Sequence, residues 1–114
     1  MMQAAMVVTW AQPVPGREDK AMAYGAEVMD FWGKRASEGK CSPPELFFSE
    51  RGTGLWIVKG DRDTLLQVHD SDEARLLTLK GELLLKDFSL DFAYTGDAAA
   101  EYMTRYATAL SAIG

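Results

Sequence analysis

The chain has 114 residues, of which 47% are hydrophobic and 25% charged, and its formal net charge is −5. That length supports one domain with a limited core, the composition excludes a disordered chain, and an acidic surface repels phosphate backbones, so nucleic acid is not an expected partner. The single cysteine, Cys41, excludes an intrachain disulfide and fits a free thiol in a reducing compartment. The run up to Trp10 lacks a basic leader and reads as a strand rather than a signal peptide. No stretch approaches the roughly 18 apolar residues that span a bilayer. A cytoplasmic location with no membrane partner is therefore expected.

In chain order, residues 5–12 are rich in β-branched and aromatic side chains and predict a first strand, stopped by Pro13, Pro15 and Gly16. Ala21, Met22, Gly25, Val28, Met29, Trp32 and Ala36 then recur at helical spacing. Glu18 and Asp19 complement the helix dipole in the first turn and Gly39 is a natural C-cap, which predicts a helix over 17–38. The segment Cys41-Ser-Pro-Pro44 reads as a loop, because its prolines fix φ and remove donors. Two short apolar runs follow within 45–59, hinged at Arg51-Gly52-Thr53-Gly54, and predict a β-hairpin. Setting Glu50 opposite Leu55 across a four-residue loop places Leu46, Phe48, Leu55 and Ile57 on one face and Phe47, Ser49, Trp56 and Val58 on the other. Both faces are apolar, so both need cover.

Asp61 or Asp63 is placed to cap a short helix through Val68, and Asp70 or Ser71 to restart it. Leu76, Leu77, Leu79, Leu83 and Leu84 prolong that helix although Gly81 weakens it; a strand pair over 75–86 is the competing assignment. Phe88, Leu90, Phe92 and Tyr94 alternate along a further strand. Gly96-Asp97 then opens a last helix, whose stripe of Ala99, Tyr102, Met103, Tyr106, Leu110 and Ile113 is expected to be buried.

The order is β-α-β-β-α-β plus a C-terminal helix over one domain, 1–114. It predicts a ferredoxin-like α+β unit with an antiparallel sheet and both helices on one face. The helices shelter one face only, and a monomer rarely leaves the other greasy, so a homodimer is expected. In the order and lengths of its elements, nearly the whole chain resembles the dimeric α/β-barrel superfamily, which includes antibiotic-biosynthesis monooxygenase-like, YCII-like and stress-responsive barrel proteins. The resemblance implies a small-molecule pocket between sheet and helices or within the barrel and, in some members, cofactor-free enzymatic activity.

Three functions follow as expectations. The first is binding of a small apolar or aromatic molecule in a pocket lined by Trp10, Trp56 and Tyr94 and edged by Asp91 or His69, since large amphipathic rings bury well and carry polar tips. The second is a cofactor-independent monooxygenase or isomerase in the same pocket. The third is a structural or regulatory self-association module. His69, the only histidine, is the side chain best suited to general-base work near neutral pH. Its polar neighbourhood, Gln67-Val-His-Asp-Ser-Asp72, equally fits a solvated helix junction. Asp91 points away from the Phe88–Tyr94 row; it would be partly desolvated between two sheets, or would discourage edge-to-edge pairing on an edge strand. No cofactor or metal is expected, because one histidine and one cysteine do not make a typical zinc site. A Cys41–His69 nucleophile pair would leave Cys41 in a proline loop with no visible activating group. An RNA-recognition reading of the segment from Arg51 fails, because Thr53 and Leu55 occupy the positions that need stacking aromatics.

Overall fold

A computed structural model describes residues 3–114. Its elements are β1 (Gln3–Trp10), α1 (Glu18–Ser37), β2 (Glu45–Phe48), β3 (Gly54–Asp61), α2 (Arg62–His69), α3 (Asp72–Leu84), β4 (Ser89–Tyr94) and α4 (Gly96–Ile113). The four strands form one antiparallel sheet in the order β2-β3-β1-β4. This is an α+β, ferredoxin-like arrangement.

Local chemistry accounts for the element boundaries. Asp61 ends β3 and caps α2, its carboxylate accepting from the Thr64 amide at 3.2 Å. Ser71 repeats the device for α3, accepting from the Ala74 amide at 3.3 Å. Residues 75–84 are therefore helical, and the competing strand pair is absent. Gly81 is tolerated within α3 because a Cβ there would lie 2.5 Å from the Phe88 ring and 2.6 Å from the Tyr24 hydroxyl. The close approach of these two aromatic groups is what the missing side chain permits. After β1 the chain continues alongside residues 84–86, with the Ala11 amide donating to the Lys86 carbonyl at 2.8 Å and the Lys86 amide to the Gln12 carbonyl at 2.7 Å.

In antiparallel pairing, directly opposed residues share a face. Val8 pairs with Trp56 and Leu90, and Met6 with Val58 and Phe92, so these residues form one row. α1, α2 and α3 all pack on it, through side chains that include Val28, Trp32, Leu65, Val68 and Leu77. Val8, Val58 and Leu65 are completely buried. Trp32 meets Phe31 edge-on at 5.4 Å and Trp56 at 5.9 Å, so it belongs to the core. The Lys80 ammonium pairs with Glu27 at 3.1 Å and ties α3 to α1 at the surface.

Two expectations are corrected. Phe48 pairs with Gly54, not Glu50 with Leu55. The offset is an odd number of residues, which exchanges faces. Leu46, Phe48, Trp56 and Val58 therefore share the helix-facing side, while Phe47, Leu55 and Ile57 share the other with Val7. The cause is a five-residue loop, 49–53, closed by the Ser49 amide donating to the Thr53 carbonyl at 2.8 Å and by their hydroxyls at 2.6 Å. Gly52 supplies the positive φ of +83°. Gly54 lies in the strand instead, where a Cβ would strike the Trp10 indole.

The second correction concerns α4. It packs against the ends of β1 and β4, yet none of its residues is buried. Tyr102, Met103, Tyr106, Leu110 and Ile113 are all more than half exposed. The helix projects from the domain: the radius of gyration is 15.9 Å, against about 13 Å for a compact chain of this length. Its apolar stripe is real, but within one copy it is met mainly at its start, where Tyr102 stacks on Tyr94, and the rest lies open.

Candidate functional site

The wide helix-facing side of the sheet is only partly filled. Toward the β2 edge, α1 stands off the strands and leaves a cavity of about 410 Å³. Trp10, Trp56, Leu46 and Phe48 line it from the sheet, Met22, Gly25, Val28 and Met29 from α1, and Pro13 and Leu85 at one end. Two local features create the space. Gly25 presents no side chain, and a Cβ there would meet nothing within 4 Å. At the opposite wall the Trp10 indole lies flat against Gly54, where only glycine admits it. The volume falls within the roughly 300–1,000 Å³ of small-molecule sites, and the lining is almost entirely hydrocarbon and aromatic, as such sites are.

Tyr24 is the one ionisable side chain among the described residues that line this cavity. Burial, with the nearby Glu27 carboxylate adding, pushes its phenol well above the ordinary value of 10.0. A neutral phenol keeps its proton and offers a hydrogen-bond donor or acceptor, not a base. The cavity mouth is bordered by Met22, Leu46 and Phe48, all largely exposed.

The residues singled out from the sequence are thus divided. Trp10 and Trp56 share the cavity. Tyr94 does not reach it: it sits at the far end of β4, stacked on Tyr102 of α4 with ring centres 4.7 Å apart. His69 packs edge-on against Phe92 at 5.5 Å. It lines a separate void of about 10 Å³ together with Tyr24 and Thr78, room for about one water molecule. Asp91 lies exposed on the opposite sheet face, paired across the ladder with Val7. Neither His69 nor Asp91 edges the cavity. Cys41 rests half-buried with Sγ 4.0 Å from the Trp32 carbonyl, and burial outweighs Arg35 in pushing its thiol above the ordinary value. A thiol so placed is a poor nucleophile at neutral pH. Among the described residues no cluster of three or more potential metal ligands occurs, and no helix is long and apolar enough to cross a membrane.

Sequence reasoning missed the α1 wall and the β2 contribution as parts of a site. The available signal was Gly25 in the middle of an otherwise strong helix, flanked by Met22 and Met29 on one face.

No protein-family profile matches the chain, and no curated protein resembles it in sequence. Solved structures do share its fold. Rv0793 from Mycobacterium tuberculosis superposes with a TM-score of 0.67 at 14% identity, over 82% of this chain and 95% of that one. An antibiotic biosynthesis monooxygenase gives 0.60 at 17% identity, over 83% and 99%. A dimeric protein of unknown function with a ferredoxin-like fold, from Bacteroides fragilis, gives 0.56 at 6% identity, over 82% and 96%. The chain thus has a ferredoxin-like fold. At these identities the likeness is one of fold.

Proposed function

We propose that the protein is a homodimer that binds a small, flat, apolar or aromatic molecule in the cavity between α1 and the sheet. The observation that carries this reading is the 410 Å³ hydrocarbon-lined cavity itself, with two indoles on its sheet wall. Indole faces stack on planar ligands, and large amphipathic rings of this kind line small-molecule sites. An enzyme acting by general acid–base chemistry would bring a carboxylate or imidazole to the cavity; the candidates, Asp91 and His69, lie elsewhere.

Dimerisation rests on the second sheet face. Val7, Ile57, Leu55 and Phe47 form an apolar patch over two rungs there, bordered by Thr9, Ser89, Asp91, Glu45 and Lys59, which α1, α2 and α3 do not reach. The sheet also ends in two unpaired edges, β2 and β4, and β2 carries Leu46, Phe47 and Phe48 in succession. Two sheets packed face to face bury the patch, and closing them into a barrel removes both edges. The Bacteroides fragilis protein of the same fold is described as dimeric, which supports pairing of two copies.

Intrinsic fluorescence and thermal denaturation with a panel of planar aromatic compounds test the pocket. A ligand present at one hundred times its Kd stabilises the native state by about 2.7 kcal/mol, on the order of 10 °C for a domain of this size. The binding compound should quench the tryptophans and raise Tm in the wild type, and do neither in Gly25→Leu, which fills the cavity. Compounds that shift both proteins equally would bind outside the cavity and contradict the assignment.

A further inference from the structure

We infer that the small void where α1, α2 and α3 converge on the sheet is a water-binding site, in which one water molecule joins the Tyr24 hydroxyl, the His69 imidazole and the Thr78 hydroxyl. The inference needs neither the ligand nor the dimer proposed above. It gives a place to polar groups that the larger cavity does not use.

The sequence brings one hydrogen-bonding side chain from each of three helices to this point. Tyr24 comes from α1, His69 from the last turn of α2 and Thr78 from the middle of α3. All three border the void, whose remaining wall is apolar and includes Met6, Trp32 and Leu77. Its volume of about 10 Å³ suits a single water, and a buried water needs two to four polar partners. Tyr24, His69 and Thr78 supply them.

Tyr24 carries the argument. The residue is 6% exposed, and its hydroxyl lies against α3, where a Cβ on Gly81 would come within 2.6 Å of it. Buried hydroxyls are costly to leave unpaired and are almost always bonded to protein or to ordered water. None of the hydrogen bonds formed among the described residues engages this one, yet it is not sealed from a water-sized neighbour. Thr78 stands one turn before Gly81 on the same face of α3, about 5–6 Å away. That distance is too long for a direct bond, and two hydrogen bonds meeting at one water span ~5.6 Å. The Thr78 hydroxyl donates to the Ala74 carbonyl at 3.1 Å, so toward the void it accepts. The Tyr24 phenol, kept neutral by burial, is free to donate. Whichever His69 nitrogen faces the void donates or accepts, and a water answers both. Tyr24, Val28 and Trp56 line the void and the larger cavity alike, so the bridge backs the cavity's inner wall. It ties the three helices together there, beneath the surface pair of Lys80 and Glu27.

A crystal structure of the full chain and two near-isosteric substitutions test the site. The structure should show one ordered water within hydrogen-bond distance of all three groups. A direct bond between any two of them, or no density among them, would overturn the inference. Tyr24→Phe and Thr78→Val each remove one partner and keep the shape. In urea denaturation either change should lower the folding equilibrium constant about tenfold. The two combined should lower it hardly further, because both act on the same water. Losses that multiply to about a hundredfold, or no loss from either change, would overturn it as well. Neither measurement depends on whether the cavity takes an aromatic compound, so this inference and the proposed function fail separately.

Discussion

The helix-facing row of the sheet and the stripe of α4 are built from the same kinds of side chain, and one copy of the chain treats them oppositely. Val8, Val58 and Leu65 are completely buried, whereas Ile113 is 84% and Met103 72% exposed. Apolar periodicity alone therefore does not decide burial; what the connections bring opposite does. α1, α2 and α3 all lie over the sheet, the last two started by side-chain caps, while α4 leaves from the sheet end and touches its own domain near the ends of β1 and β4. The comparison extends to two glycines inside helices. Gly81 is filled around, by Phe88 and Tyr24; Gly25 faces empty space. One serves packing and the other serves a cavity.

Perturbing each side should separate them. The largest effect is expected in the filled half, where Leu65→Ala should cost about 2–5 kcal/mol in urea denaturation, since Leu65 is fully buried. In the projecting half, Tyr106→Ser and Leu110→Ser should each cost only about 0.5 kcal/mol or less in the same assay, because both side chains are more than half exposed. Between the glycines the signs should differ. Gly81→Ala should destabilise by about 1–3 kcal/mol despite its better helix propensity, because the new methyl meets two aromatic groups. Gly25→Ala should stabilise by about 0.5–1 kcal/mol, because the helix gains and nothing is struck. An equal response at both positions would dissolve the distinction.

The smallest expected effect is a pH dependence. The folded state holds the Tyr24 phenol above its ordinary value of 10.0. The unfolded chain releases that proton first, so the contribution is complete below pH 10 and is lost as pH rises beyond it. Stability measured between neutral pH and pH 11 should fall less steeply in Tyr24→Phe than in the wild type.

The element order was legible because each boundary carries local chemistry: prolines after β1, Asp61 and Ser71 at helix starts, strict alternation in β4. The hairpin register was not, because Gly54 reads as a turn residue, and its actual reason, the Trp10 indole lying on it, is a contact across the sheet. Trp10 and Trp56 were recognisable as site candidates from their large amphipathic rings, while the opposite wall was not. Nothing adjacent in sequence announces that Gly25 faces Phe48 and Leu46 across a gap. Tyr94 was assigned to the pocket for its aromatic ring alone, and its position at the far end of β4 depends on strand direction, which composition does not encode. The α4 stripe was correctly read as apolar and wrongly as buried, because periodicity marks a surface that needs a partner without specifying which chain supplies it.

The central claim is that the uncovered sheet face meets its counterpart on a second copy. Sedimentation equilibrium of the unmodified chain at micromolar concentration tests it most directly. The account predicts a mass twice the 12.6 kDa of one chain; a single species at 12.6 kDa, folded and stable, would contradict it.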